Sequence, residues 1–422
     1  MADATLRPRF GLRRLLLLLL VLVVFALLGL LSRPPHRLVI ETGPEGGSYH
    51  QVALQYRAFL ARRGIDVVIQ PQPNSMEIVR HVADPKSSVQ VGFVAQDVRD
   101  MANEPVFAVG QIQLQPLFIF ASAELGRRSV LDNLRGRRIV MPPEDSATSD
   151  AAVKVLALYD ITAENTSFTF MPLAEAAKAL QTGRFDAGIF MLAPENPTIR
   201  ALAADSSLRL MPYTEGRAVA NHLPFLRPVV MPRGIYNIAD VIPPHDTPLV
   251  AATVGVVIQE NIHPYLVYSL LEAMSALHRA PTFLSGAGEF PTLAGAQLAA
   301  HPQALTYFKS GVPWAYRELP PWLASVIDRY QILGLLLLGI GAIALLLGPI
   351  SDLGSGLVEA MALGSVHRID QVTLPARAPT PTQRARLGRA ERVLRWIDPD
   401  HPALPTIADI RRRGEPDPLA SS

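Results

Sequence analysis

The sequence predicts a bilobal α/β protein with two extended crossing segments, flanked by two transmembrane helices. Three observations predict it. Short apolar runs alternate with stretches of helical spacing from residue 37 to about residue 280, the mark of a largely parallel sheet covered by helices. The alternation occurs twice, and two extended segments, LQPLFIFAS (114–122) and FLRPVVMPRG (225–234), join the two blocks. Two uncharged stretches, 15–31 and 330–350, bracket the whole.

The first uncharged stretch follows Arg7, Arg9, Arg13 and Arg14. A secretory signal peptide has the same charged start and apolar middle. No Ala-x-Ala pattern precedes Ser32-Arg33, and the chain has no cysteine for lipid attachment, so an uncleaved signal anchor is the preferred reading. The second stretch, YQILGLLLLGIGAIALLLGPI, is long enough for the ~30 Å hydrocarbon layer. Polar residues do not recur within it at helical spacing, which argues against a buried core helix. Four arginines precede the first stretch and ten follow the second, so both termini are expected to be cytoplasmic. The expected order is a cytoplasmic N-terminus (1–14), a signal-anchor helix (15–32), an extracytoplasmic domain (33–329), a second span (330–350) and a cytoplasmic tail (351–422). This places the protein in the inner membrane, with its main domain facing the periplasm or cell exterior.

Within the external domain, RLVIE, IDVVIQ and VQVGFV read as strands, separated by a helix ending at Arg63 and by the helix MEIVRHVA. After the first crossing come the strand RRIVM, the helix AAVKVLALY, the strand SFTFMPL, the helix AEAAKALQTG and the strand FDAGIFML. The second crossing leads to the strand PLVAATVGVVI and the helix PYLVYSLLEAMSALH. Lobe 1 is therefore expected at about 37–113 plus 232–320, and lobe 2 at about 123–224. Hinge closure about two crossings is a recognised way to trap a small ligand.

Composition removes several function classes. Without cysteine there are no disulfides, thiolate metal sites or cysteine nucleophiles. A net charge of +2 and no basic stripe through the middle argue against nucleic acid. No G-x-S-x-G or H-E-x-x-H motif occurs, the histidines are scattered, and none of the four lysines falls in a loop placed at the cleft. Binding without catalysis, metal or cofactor is the expectation.

In such sheets ligands lie beyond the carboxyl ends of the strands. Three loops there carry the candidate residues. TGPEGGSYH (42–50) has glycines that allow close backbone approach, with Ser48 as a candidate N-cap. Alone it is equally compatible with a tight capped turn and with an anion site at a helix start. In PQPNS (71–75), Asn74 is a candidate cap and Glu77 sits where a capping-box partner would. PPEDSATSD (142–150) offers Ser146, Thr148 and Ser149 before a helix. Gln96 and Asp97 close a strand, and Tyr49 is placed either to cover a ligand or simply to pack. The ligand-contact set is Gly46, Gly47, Ser48, Tyr49, Asn74, Ser75, Gln96, Ser146, Thr148 and Ser149.

The run from TGPEGGSYHQVALQYRAFLARRGI to VQVGFVAQ resembles the opening of the TAXI solute receptors of TRAP transporters. The likeness continues through LRGRRIVMPPEDSATS, RFDAGIF, LPFLRPVVMPRGIYNIADVIPP and GEFPTLAG to YFKSGVPWAYRELPPWLASVIDRY, and so covers most of residues 38–350. The last stretches are similar to a membrane-tethered subgroup. The resemblance implies a type II periplasmic-binding-protein fold, ligand contact around Gly46, Gly47, Ser48 and Tyr49, a small carboxylate-bearing solute such as an amino acid or organic acid, and TRAP permease subunits as partners. Where the family shows Thr-x-Gly-Ser-x-Glu-Asn, this chain keeps Ser75 and Glu77 but has Asn74 for the glycine and Ile78 for the asparagine. A Ser-Gly-Thr of the other lobe becomes Ser146-Ala147-Thr148.

The alternative is a sensory or scaffold protein that uses the same fold to signal occupancy across the membrane. The tail is Pro- and Arg-rich with weak core potential. Residues 380–397 predict a helix with Leu387, Ala390, Leu394 and Ile397 on one face and arginines around the rest, suited to anionic lipid, to solvent or to a partner protein.

Overall fold

The computed structural model describes residues 19–20, 22–24, 26–31, 33–126, 131–372 and 378–413, although the side chains of most residues from 331 to 355 lie outside that description. Gly29–Asp328 form one compact unit, and Met1–Leu28 with Arg329–Ser422 form another.

The larger unit is built on one path of strands. β1 (Arg37–Thr42) pairs in parallel with β2 (Asp66–Pro71) and β3 (Val91–Val94). The long strand β10 (Thr247–Gln259) runs antiparallel between β3 and β4 (Val106–Ser122). β4 then carries the sheet into the second lobe, where it pairs with β7 (Ala187–Met191), which is parallel to β5 (Arg138–Met141) and followed by β6 (Ser167–Phe170). The order is β2-β1-β3-β10-β4-β7-β5-β6. β8 (Leu208–Leu210) joins β4, and β9 (Leu226–Met231) joins β10. The sheet is thus mixed rather than largely parallel, because the crossing strand β4 and the returning strand β10 both run against their neighbours.

The handover between lobes falls at one residue. Pro116 is the last residue of β4 to face β10, and Leu117 is the first to face β7. Proline has no amide hydrogen to give a ladder, so it fits a position where one partner strand ends and the next begins. The second expected crossing contains β9, which pairs residue by residue with Thr247–Ala252.

Five of the six parallel strands feed an α-helix, while β3 leads through a short 3-10 turn to β4. β1 leads to the helix Ser48–Ala61, β2 to Ser75–Ala83, β5 to Ala147–Leu158, β6 to Leu173–Gln181 and β7 to Pro197–Ala204. Their apolar faces fill the main core, with Tyr56, Phe93, Phe118, Phe120 and Phe190 fully buried.

One core contact carries a pH dependence. His278 ends the helix Pro264–His278, where its Nε2 lies 3.1 Å from the Tyr56 hydroxyl. Burial pushes the imidazole down from 6.5 to about 4. Between those values the unfolded chain binds the proton and the folded chain does not, so stability falls as pH drops through the window. The loss reaches about 3 kcal/mol below pH 4, and none of it is present above pH 6.5. Urea midpoints measured from pH 7 to pH 4 should show this decline, and His278→Gln, which keeps a partner for Tyr56, should flatten it.

In the second unit the helices Gln331–Val372, Pro381–Ile397 and Leu404–Arg412 share a small core of Ala362, Val366, Ile369, Leu387, Ala390, Leu394, Ile407 and Ile410. A capping box between Thr380 and Gln383 starts the second helix. Two expectations are corrected here. The tail has a core of its own, and the apolar face of residues 380–397 is spent on neighbouring helices rather than left for lipid: Leu387 and Leu394 are fully buried. Its arginines pair in part within the unit, as Arg395 and Arg411 do with Glu391.

Among the described residues, no helix is long and apolar enough to cross a membrane. Residues 15–18, 21, 25 and 32 of the first expected span lie outside the described residues, as do most side chains of the second.

Candidate functional site

The loop after β1 is shaped by two glycines. Gly46 has φ +79, which favours glycine, and a Cβ on Gly47 would sit 2.9 Å from the Pro44 carbonyl oxygen. Gly47, not Ser48, is the N-cap of the helix Ser48–Ala61, and no side chain caps it. That corrects the expected role of Ser48. Its hydroxyl instead accepts a hydrogen bond from the Ala193 amide of the facing lobe, at 2.9 Å.

The second loop is capped as expected, with Asn74 Oδ1 accepting from the amides of Met76 (3.0 Å) and Glu77 (3.1 Å). The reciprocal half of the box comes from elsewhere. The Asn74 amide donates to Gln72 Oε1, while the Glu77 carboxylate is turned to Arg80. In the third loop, Ser146 Oγ accepts from the Ser149 amide, and Ser149 Oγ donates to the Pro142 carbonyl. Thr148 Oγ1 accepts from the Met191 amide, tying this helix to the end of β7.

The lobes touch across these loops. Besides the bond between Ser48 and Ala193, Asn196 Nδ2 donates to the Gly46 carbonyl at 3.3 Å, and the Ser75 amide donates to the Asp145 carbonyl at 3.3 Å. Glu195 Oε1 accepts from the Phe283 amide at 2.9 Å. Loops of the two lobes are therefore in contact, and between them lies a partly open cavity with about 50 Å³ accessible to water.

Of the ten expected contact residues, Gly47, Ser48, Tyr49, Ser75, Ser146 and Thr148 line this cavity. The other four are not among its lining residues. The Gly46 carbonyl faces Asn196, Asn74 is turned to its own helix, Ser149 is bonded to Pro142, and the main-chain carbonyl of Gln96 accepts from Gln297 Nε2. The structure adds Gln115 to the lining and Asn196 to the lobe contact. Gln115 had a faint signal as a polar residue in the apolar run LQPLFIFAS, and Asn196 had one as a capping residue before Pro197.

Three lining side chains end in a buried polar atom without a partner: Tyr49 Oη, Ser75 Oγ and Gln115 Nε2. Native interiors rarely leave such atoms unsatisfied, so each calls for a reason. The Tyr49 ring stacks on Phe93 at 5.7 Å, which fixes its direction. Burial raises its phenol pKa well above the ordinary range, so it stays protonated and able to donate. Among the described residues lining the cavity, none carries a full charge. Nor do the described residues contain a group of three or more His, Asp or Glu able to hold a metal ion.

A family model described as the NMT1-like family matches residues 40–310, which is well over half of the chain and includes every lining residue named above. The chain belongs to the NMT1-like family. Among curated proteins, none matches this NMT1-like protein in sequence. Several solved structures are similar to it. The alkanesulfonate-binding protein SsuA from Xanthomonas axonopodis pv. citri bound to MOPS is 18% identical, covering 58% of this chain and 76% of that one, with a TM-score of 0.39. The amino acid ABC transporter substrate-binding protein AbpA from Streptococcus pneumoniae bound to L-arginine is 12% identical over 57% and 89%, with a TM-score of 0.36. A histidine kinase sensor domain with similarity to periplasmic binding proteins is 14% identical over 57% and 90%, with a TM-score of 0.37. Likenesses this distant say nothing of what the NMT1-like protein binds, and its architecture rests on its own strand order.

Proposed function

We propose that the protein is a solute receptor that closes two lobes over a small carboxylate-bearing organic ligand, outside the cytoplasm and attached to the inner membrane, and that it serves a TRAP-type transporter. One observation carries the binding part: loops from both lobes line one cavity, with Gly47, Ser48, Tyr49 and Ser75 on one side and Ser146, Thr148 and Met191 on the other. The similarity of TGPEGGSYH and the stretches after it to TAXI receptors supports the transport part. The uncharged stretches 15–31 and 330–350, with arginines outside both, support the attachment and its orientation. A second reading, a sensor that reports occupancy, draws on one feature: the helices beyond residue 331 have a core of their own and could serve as an output unit.

The test is thermal unfolding of the full-length protein in detergent with amino acids, monocarboxylates and dicarboxylates. A solute at 100 times its Kd should stabilise the native state by ~2.7 kcal/mol. Ser48→Leu, which adds two non-hydrogen atoms at the cavity and removes the acceptor for Ala193, should abolish the shift while leaving the protein folded. A folded protein that responds to no solute, or a shift that survives Ser48→Leu, contradicts the proposal.

A further inference from the structure

We infer that the larger unit docks on the lipid surface of the membrane that holds it, through the end that bears Trp314 and Trp322, with the solute cavity at the far end of β1. This goes beyond the receptor reading and rests only on its attachment part.

The chain enters this unit at Gly29 and leaves it at Asp328. The entry and exit segments meet. Gly29 is buried, and a Cβ on it would sit 3.0 Å from the Trp322 ring, so only glycine lets the indole pack there unmoved. Gly29 belongs to the uncharged stretch 15–31, and Trp322 stands eight residues before the second one, 330–350. Attachment through both stretches therefore brings this end of the unit to the lipid.

The residues left open at this end suit that neighbour. Leu30 and Leu31 are 57% and 73% exposed, and Trp314 and Trp322 are 60% and 40% exposed. Two of the chain's three tryptophans are thus uncovered here. Tryptophan joins a large apolar ring to a single N–H, a combination that settles at the headgroup level of a bilayer.

Both indoles stand on fixed supports. The helix Trp314–Glu318 buries Ala315. Its Tyr316 donates to Asp328 Oδ2 at 3.1 Å and packs on Tyr268 of the main core, with ring centroids 5.0 Å apart. The helix Pro321–Arg329 buries Ala324, Ser325 and Val326. The small side chains of these helices turn inward, and the tryptophans are held out. Exposed aromatic area of this kind marks a surface that something covers. Continuity with the uncharged stretch assigns the cover to lipid: Leu30 and Leu31 end that stretch, and Arg33 follows as an exposed cation at the level of the phosphates.

The cavity lies at the other end of the strand that starts here. β1 runs from Arg37, four residues after Arg33, to Thr42, where the cavity loop begins. Six residues at about 3.3 Å each place that loop one strand length, roughly 20 Å, from the docked end. Docking in this way leaves the cavity open to solvent.

Tryptophan emission of the full-length protein carrying Trp396→Phe, in vesicles of phosphatidylglycerol and phosphatidylcholine, tests this. Trp396 is 83% exposed and lies in the other unit, so its replacement leaves the larger unit untouched and only Trp314 and Trp322 emit. Phosphatidylcholine brominated at the headgroup end of its chains should quench most of this emission, and iodide on both sides of the membrane should quench little. Adding Trp314→Phe, and separately Trp322→Phe, reads each indole alone, and each should respond to the lipid. Emission from either indole that iodide quenches and brominated lipid does not overturns the inference, because that ring then stands in water. Emission shielded from both quenchers overturns it as well, because protein then covers this end. In both cases a chain that stays with the vesicles through an alkaline carbonate wash leaves the attachment reading intact. A folded chain that washes off overturns the attachment reading and the inference together.

Discussion

Replacing Phe93 with alanine is expected to destabilise the larger unit by about 3–5 kcal/mol and to weaken solute binding with it. Phe93 is fully buried on β3, opposite Val256 of β10. Its ring lies against Tyr49, with centroids 5.7 Å apart, and against Tyr56 at 6.0 Å. Truncation leaves a void that the rigid strand pair cannot close, and it removes the ring on which Tyr49, a residue lining the cavity, is stacked. Phe118→Ala is the control. Phe118 is equally buried and stacks on Phe120 at 5.9 Å, but neither ring belongs to a residue lining the cavity. Both variants should lose comparable stability in urea titrations, while only Phe93→Ala should lose affinity in calorimetry run well below the unfolding midpoint. Equal affinity in the two would show that Tyr49 does not depend on Phe93.

The second large effect concerns closure. Asn196 is buried and works twice: Oδ1 caps the helix Pro197–Ala204 through the Thr198 amide at 2.9 Å, and Nδ2 reaches across to Gly46. Asn196→Ala removes both and should cost about 1–3 kcal/mol. Asn196→Asp separates the two roles, because a carboxylate still caps the helix but meets the Gly46 carbonyl with no hydrogen to donate. The chain contains no cysteine, so labels can be placed at single introduced cysteines, for example at Lys86 in the first lobe and Lys178 in the second. The solute-free aspartate variant should show a longer and broader distance between them than the parent does. Identical distributions would mean that this bond does not hold the lobes together.

Much of the fold was legible because its signals are local. The helix starts at Ser48, Ser75 and Ala147 follow strand-ending loops, and apolar alternation marked most of the strands. The first crossing strand was read eight residues short, starting at 114 rather than at Val106. Gln111, Gln113 and Gln115 gave its first half a polar look, yet all three are largely enclosed between neighbouring elements. The site was partly legible for a related reason. Ser48 looks like a cap because serine before an apolar run often is one, but Gly47 takes that position and leaves the hydroxyl for Ala193, 145 residues away. Contacts of that separation leave no local pattern. The tail was misread on the same ground, since Leu387 and Leu394 look amphipathic alone and become core only beside Val366 and Ile410.

The central claim is that loops of both lobes close over a pocket that holds a small organic solute. The most direct measurement is therefore the thermal unfolding of the full-length protein, parent and Ser48→Leu, with and without saturating amino acids, monocarboxylates and dicarboxylates. At least one solute should stabilise the parent, by ~2.7 kcal/mol at 100 times its Kd, and the shift should be gone in a folded Ser48→Leu variant. A folded parent that responds to no solute, or a shift that survives in Ser48→Leu, would contradict the account.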